Sequence, residues 1–241
     1  MSETFNFPTE TVELPSKGLI YPEDHPLRSG KVEIKYMTAK EEDILTNQNL
    51  IEKGTVLEKL LEALTMNKFD LKDIHTGDKN AIFVAARVLG YGKNYSFGYG
   101  GEEYTVDLSK MENKPFNDSI VDENGIGKFE FPNSDNTIQF KFLTEKDEEK
   151  IDEEIKGMKK IISGFSGEVT TRLKHQIVSI NENTDKNEIK NFVDNYLLAQ
   201  DSRAFRLFLK EHSPNIDLVF EDKNGEKHEI PISLNFFYPD L

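Results

Sequence analysis

Apolar and charged residues alternate from Lys31 to Tyr36, with Val32, Ile34 and Tyr36 on one side and Lys31, Glu33 and Lys35 on the other. A period of two predicts a strand with one buried face. The next residues, Thr38 to Glu41, read Thr-x-x-Glu, a capping box that opens a helix carrying Ile44 and Leu45. The period then lengthens. Val56, Leu57, Leu60, Leu61 and Leu64 form a helical stripe, and Ile82, Ala85, Ala86 and Leu89 form another that runs to Gly90, where a helix commonly stops. Both stripes read as core, and the two helices are expected to pack on each other. Alternation returns at Tyr104, Val106 and Leu108, and again at Ile138, Phe140 and Phe142, whose apolar face is expected to pair with Phe129 and Phe131.

Beyond Thr144 the pattern is helical once more. Ile151, Ile155, Met158 and Ile162 make a narrow stripe in a segment rich in Glu and Lys, which support an exposed helix at i, i+3 and i+4. Gly164 and Gly167 bracket a break, and the chain resumes with Val169, Leu173, Ile177 and Ile180. Asp185 to Glu188 is a second capping-box pattern. It leads into Ile189, Phe192, Val193, Tyr196 and Leu197, an amphipathic helix of about 15 residues, roughly 22 Å long. Phe205, Phe208 and Leu209 continue on a further helix that Asp201 can cap, ending at Pro214. Ile216, Leu218 and Phe220, then Asn224-Gly225, then Ile230 and Ile232, spell a hairpin.

Ahead of the first strand, Pro15 fixes its own φ and pushes Leu14 toward extended conformations, while Gly18 supplies the freedom a tight turn needs. Leu14 to Tyr21 is expected to be an ordered, non-helical arm, and Met1 to Glu10 a frayed or partner-ordered tail. The fold class is therefore α+β, with amphipathic helices packed on small antiparallel sheets or hairpins behind an extended N-terminal arm. The expected division is the arm at 1–30, a mixed helical and β region at 31–143, and a helical region closed by a C-terminal β-hairpin at 144–241.

Composition narrows the function classes. With 37% hydrophobic residues the chain of 241 can bury a proper core. Thirty Lys and Arg against 44 Asp and Glu give a formal charge of -14, a surface that repels phosphate backbones, so nucleic acid is not an expected partner. No apolar run approaches the roughly 18 to 20 residues a membrane span needs, and no charged-then-apolar leader opens the chain. The expectation is a soluble protein made in the cytoplasm. Cysteine is absent, which excludes disulfides, thiolate nucleophiles and cysteine-bound zinc.

Candidate chemistry is sparse. Gly90 to Gly101, GYGKNYSFGYGG, has the glycines of a phosphate loop but follows a helix and precedes a strand, the reverse of the order such a loop needs, and reads as a hairpin turning near Gly98 to Gly101. Asp122, Glu123 and Asn124 before Gly125 lack the ligand alternation of a calcium loop and read as a solvated turn. The acidic run Asp147 to Glu154 has a reading as a cation site or general-acid pair, and a plainer one as a helix face in water. Asp201, Arg203 and Arg206 read as a salt-bridged helix start, since a catalytic Asp-Arg pair has no visible third partner. His25, His75, His175, His212 and His228 are scattered, with no His-x-x-x-His and no Gly-x-Ser-x-Gly elbow. We expect no enzyme, no cofactor and no bound metal.

The order of several short motifs resembles a known family. Leu14-Pro15-Ser16-Lys17-Gly18 is followed by Tyr21-Pro22, a short strand, Met37 to Leu45 (MTAKEEDIL), and Asn80 to Gly92 with Tyr95 after it. Asp201 to Arg206 (DSRAFR), Pro214 to Asp217 (PNID) and the closing Phe236-Phe237-Tyr238-Pro239 come next. In this colinear order they are similar to the baseplate hub subunits of T-even-type contractile-tailed bacteriophages. That family often carries cysteine pairs at the Gly98 to Gly101 turn and near the Asn224-Gly225 turn. This chain has none, so a metal knuckle is not carried over.

The resemblance implies a structural or assembly component of the hub that acts through contacts with other hub or tail proteins and leaves self-association open. It would be found in the host cytoplasm during assembly and in the tail baseplate of the virion. Two alternatives stand beside it: a hub assembly chaperone absent from the mature virion, and a small cytoplasmic enzyme whose site is not visible in sequence. The partner-binding residues it points to are Leu14, Pro15, Lys17, Gly18 and Tyr21 in the arm and Phe236, Phe237, Tyr238 and Pro239 at the end. Three successive aromatics cannot all face one way on a strand, so at least one is expected to leave the packed face. The competing reading is that arm and tail fold back on the chain's own core.

Overall fold

Strand β1 (Thr9–Glu13) pairs antiparallel with β2 (Lys31–Lys35), placing Val12 opposite Val32 and Glu10 opposite Ile34. The computed structural model describes residues 7–161 and 167–237. Thr9 and Glu10 are thus part of a strand, and Met1 to Asn6 of the expected tail lie outside the described residues.

Residues 14–30 are not an extended arm. They fold into successive turns, with Lys17 N–H bonded to the Leu14 carbonyl, Leu19 to Ser16 and Tyr21 to Gly18, followed by one 3-10 turn at Pro26–Ser29. The reason is burial: Leu14, Tyr21 and Leu27 are each at most 2% exposed, which a straight arm could not achieve. Two positive-φ glycines let the loop cross itself. A Cβ on Gly18 would sit 2.3 Å from the Arg28 carbonyl oxygen, and one on Gly30 would sit 2.6 Å from that of Lys17.

Helices α1 (Ala39–Leu45), α2 (Gln48–Lys53), α3 (Val56–Leu64) and α4 (Thr76–Tyr91) follow. At the start of α1 the Glu41 carboxylate accepts from Thr38 N–H at 2.9 Å and Thr38 Oγ1 at 2.8 Å, and takes Lys35 Nζ at 2.7 Å. Val56, Leu60, Leu61 and Leu64 are buried against α4, as their spacing predicts. Helix α4 runs through Gly90 and stops at Gly92, which takes φ 84. Gly90 serves close packing instead, since a Cβ there would meet Met37 Cε at 2.2 Å.

Hairpin β3 (Asn94–Tyr99) and β4 (Glu102–Asp107) turns at Gly100-Gly101, both with positive φ. Strands β5 (Ile126–Glu130) and β6 (Thr137–Lys141) pair with Phe129 opposite Ile138, and α5 (Glu145–Ile161) and α6 (Glu168–Gln176) follow. Ile177 and Ile180, although they keep the helical spacing from Leu173, form β7 (Ile177–Ile180), which completes a three-stranded sheet in the order β5-β6-β7. Helix α7 (Lys186–Asn195) is shorter than its apolar spacing suggests, and α8 (Ala199–His212) begins ahead of Asp201. Asp201 therefore does not cap α8. Its carboxylate accepts from the N–H and Nδ2 of Asn133, both at 2.9 Å, rather than pairing with Arg203 or Arg206. Strands β8 (Val219–Glu221) and β9 (Lys227–Glu229) make the last hairpin, and a 3-10 turn spans Leu234–Phe237.

Packing groups the chain differently from boundaries at 30 and 143. One core joins Val12, Ile34, Leu60 and Ile82 to Ile216, Phe220, Phe236 and Phe237, so the C-terminal hairpin returns to the N-terminal helices. A second joins Phe116, Phe131 and Phe140 to Leu173, Ile189 and Phe205, taking strands from before 143 and helices from after it. Ile20, in the N-terminal turns, packs against both. No helix among the described residues is long and apolar enough to cross a membrane.

Candidate functional site

The start of α4 gathers the polar groups that the apolar core cannot satisfy. His75 is its N-cap, with Nδ1 accepting from Gly77 N–H at 3.0 Å. Asp78 stands in the first turn, where a carboxylate favours the helix dipole. Its Oδ1 accepts from Ser16 N–H at 2.9 Å, and its Oδ2 from the Ser16 and Tyr21 hydroxyls, each at 2.6 Å. The Tyr21 oxygen in turn accepts from His75 N–H at 3.1 Å, and Ser16 Oγ accepts from Gly18 N–H at 3.0 Å. Ser16 and Asp78 are completely buried.

That enclosure shifts every titratable member. Burial pushes the Asp78 carboxyl up, against the hydrogen bonds from Ser16 and Tyr21 that favour the anion. Burial and then the Asp78 charge push the Tyr21 phenol well above its ordinary value. Burial, helped by Lys79, lowers the His75 imidazole to about 4. Ser, His, Asp and Tyr are the residue types of a hydrolase, but here the Ser16 and Tyr21 hydroxyls both donate to the carboxylate, while the His75 imidazole takes Gly77 N–H on Nδ1 and faces the Ser213 hydroxyl, 3.5 Å away, with Nε2. The two grooves beside α4, one bordered by Thr76, Lys79 and Phe83 and the other by Asn80 and Asn215, are lined by none of these four residues. The cluster acts as a latch that fixes the N-terminal turns to α4.

Other chain segments lock onto the same helix. A Cβ on Gly77 would fall 1.9 Å from the Pro214 carbonyl oxygen, and Asn80 Nδ2 donates to Asn215 Oδ1 at 3.3 Å. At the other end Arg87, fully buried, donates to the carbonyls of Phe236, Gly92 and Asn94 at 3.0, 3.0 and 3.4 Å. No ion pair to Arg87 is found among the described residues, so carbonyl dipoles and the negative end of α4 balance its charge.

These contacts decide where the expected partner-binding residues lie. Leu14, Pro15, Gly18, Tyr21, Phe236 and Phe237 are all buried in this chain's own core and offer no face to a partner. Phe236 and Phe237 can both point inward because they sit on a 3-10 turn rather than a strand. Phe236 packs on Tyr95 at 4.9 Å and Phe237 on Phe83 at 5.7 Å between ring centroids. Tyr238 and Pro239 lie outside the described residues. Lys17 alone is exposed, and its Nζ reaches the Phe116 carbonyl at 3.0 Å, tying the turns to the second core.

The turns at Gly100-Gly101 and Asn224-Gly225 belong to hairpins that meet. Tyr99 OH lies 3.0 Å from His228 Nδ1, Lys223 pairs with Glu102, and Phe97, Tyr99 and Tyr104 surround Phe220. Asp222, Glu226 and His228 bring three donor atoms within 4.8 Å of one another, the residues that could hold a cation here. Asp222 is already engaged. Glu226 N–H foremost, with His228 and Asn224 N–H, holds its carboxyl below the ordinary range.

The acidic run of α5 does not simply face water. Both Asp147 oxygens take Lys141 Nζ at 2.7 Å, Glu148 receives Arg172 in a two-point pair, Glu149 pairs with Lys72, and Glu154 with His175. The cations are side chains from β6, α6 and the turn before α4. Neither Ser16, Asp78 nor Arg87 was among the sequence candidates. Arg87 did leave a signal, because it stands four residues after Phe83 on the apolar side of a helix. Comparison of the chain with protein-family models, with curated proteins and with solved structures gives no match.

Proposed function

We propose that this chain is a structural or assembly component of the baseplate hub of a contractile phage tail, working through protein–protein contacts rather than catalysis. The observation that carries the reading is the mutual contact of the segments that resemble the family. Asn215 of the Pro214 to Asp217 motif meets Asn80, at the head of the Asn80 to Gly92 motif. Tyr95, just past that motif, packs against Phe236 of the closing one, and Lys17 of the opening motif lies on the turns that Asp78 secures. Motifs that are weak singly are thus neighbours in the first core, which supports reading them together, while Asp201 to Arg206 packs apart from them in the second. The buried Ser16 and Tyr21 hydroxyls, both committed to the Asp78 carboxylate, favour a non-catalytic role.

Mass spectrometry of purified virions and of tail-less assembly intermediates tests this. A fixed number of copies per baseplate supports a structural component. Presence in intermediates alone assigns the assembly-chaperone role. Absence from both overturns the reading.

A further inference from the structure

The surface is acidic on average, with a formal charge of -14, yet one groove is not. Between α5, α6, β7 and α7 lies an open groove of about 920 Å³ whose walls carry five lysines and one histidine against two carboxylates, Asp147 and Glu154. Both carboxylates are taken, Asp147 by Lys141 and Glu154 by His175, and Lys174 pairs with Asp194. Lys150 on one wall and Lys186 and Lys190 on the other remain. All three are exposed, and no ion pair to them is found among the described residues. Lys186 and Lys190 are four residues apart on α7, so they share a face and repel each other unless an anion lies between them. Ile177, Ile189 and Met158 give the groove an apolar lining beneath these charges.

We propose that this groove docks an acidic peptide segment of a partner protein, with its carboxylates on Lys150, Lys186 and Lys190 and its apolar side chains toward Ile177 and Ile189. Charge complementarity carries the assignment: the cations of the groove are the local opposite of the rest of the surface. A nucleic acid fits less well, because a long phosphate backbone would run from the groove onto acidic surface and has no use for an apolar lining. The inference stands independently of the hub reading, since it rests on this groove alone.

Fluorescence anisotropy of a labelled oligoglutamate peptide with interspersed leucines, at low salt, tests it. Saturable binding should weaken about tenfold or more in the Lys150→Glu, Lys186→Glu, Lys190→Glu triple variant. The triple Gln variant should fall between, and a control triple, Lys53→Glu, Lys110→Glu, Lys227→Glu, should bind like wild type. Circular dichroism and the thermal midpoint establish that each variant is folded. No binding by wild type, or equal loss in the control triple, overturns the proposal. So does tighter binding of a labelled oligothymidylate, which would make the groove a nucleic-acid site. Concentration-dependent dimerisation that the groove variant abolishes would place a second copy there and overturn it as well.

Discussion

Arg87 Nε donates to the carbonyl oxygen of Phe236 at 3.0 Å, across 149 positions of sequence. The same guanidinium lies 5.2 Å from the Tyr91 ring and 5.8 Å from the Tyr95 ring, so one side chain joins α4, the following hairpin and the last 3-10 turn. Arg87→Met keeps the apolar stem but leaves buried carbonyls without donors, at about 1–3 kcal/mol each. We expect its denaturation midpoint to fall well below wild type, with Arg87→Lys recovering part of the loss because an ammonium cannot reach all three carbonyls. A midpoint unchanged in both variants would show that the guanidinium is incidental.

His75 makes stability depend on acidity. Its folded pKa is lowered to about 4 from 6.5, so between those values the unfolded chain holds more protons and stability is lost as pH falls. The drop amounts to about 3 kcal/mol on passing from above pH 6.5 to below pH 4. His75→Asn keeps an N-cap acceptor and removes the titration. Denaturant unfolding at several pH values should show the wild type and variant curves converging toward low pH. Asp78, whose raised pKa acts with the opposite sign, is common to both proteins and drops out of the difference.

Gly77→Ala is expected to destabilise although alanine is the better helix former. Its Cβ would lie 1.9 Å from the Pro214 carbonyl, and forcing the backbones apart costs about 1–3 kcal/mol. Gly157→Ala, in α5 with nothing within 4 Å, should instead stabilise by about 0.5–1 kcal/mol. Thermal midpoints that move in the same direction would refute the close-approach argument.

Phe205 rather than Phe192 is the aromatic centre of the second core. Phe205 is completely buried and meets Phe129 and Phe140 at 5.2 and 5.3 Å between ring centroids, while Phe192 is half-buried and touches Phe131 at 6.0 Å. Phe205→Ala should cost about 3–5 kcal/mol and Phe192→Ala clearly less. Equal shifts in urea midpoint would contradict that ranking.

What could be read from sequence was local. The Asp185 cap accepts from the N–H groups of Asn187 and Glu188, half of the capping box its pattern predicts, while its own N–H goes to Asn183 Oδ1 rather than to Glu188. Asp122-Glu-Asn-Gly125 and Asp222-Lys-Asn-Gly225 form the same turn twice, each Asp Oδ1 accepting two N–H groups, because that geometry needs only neighbouring residues. Strand β7 was hidden because Ile177 and Ile180 follow Leu173 at spacings that also suit a helix, and only pairing with β6 decides between them. The α4 latch was hidden for another reason. Ser16, Tyr21 and Asp78 are ordinary residues singly, and their meaning comes from a meeting across 57 to 62 positions.

The return of residues 216–237 to the N-terminal core has a consequence for synthesis. On the ribosome, Phe116 to Leu209 emerge together and can close their own core, whereas Phe83, Tyr95 and Phe97 must wait for Phe220, Phe236 and Phe237. At usual elongation speeds that wait is on the order of ten seconds. For that interval an aromatic surface lies open on every nascent chain, and a holdase or a neighbouring chain on the same polysome has its best chance to bind there.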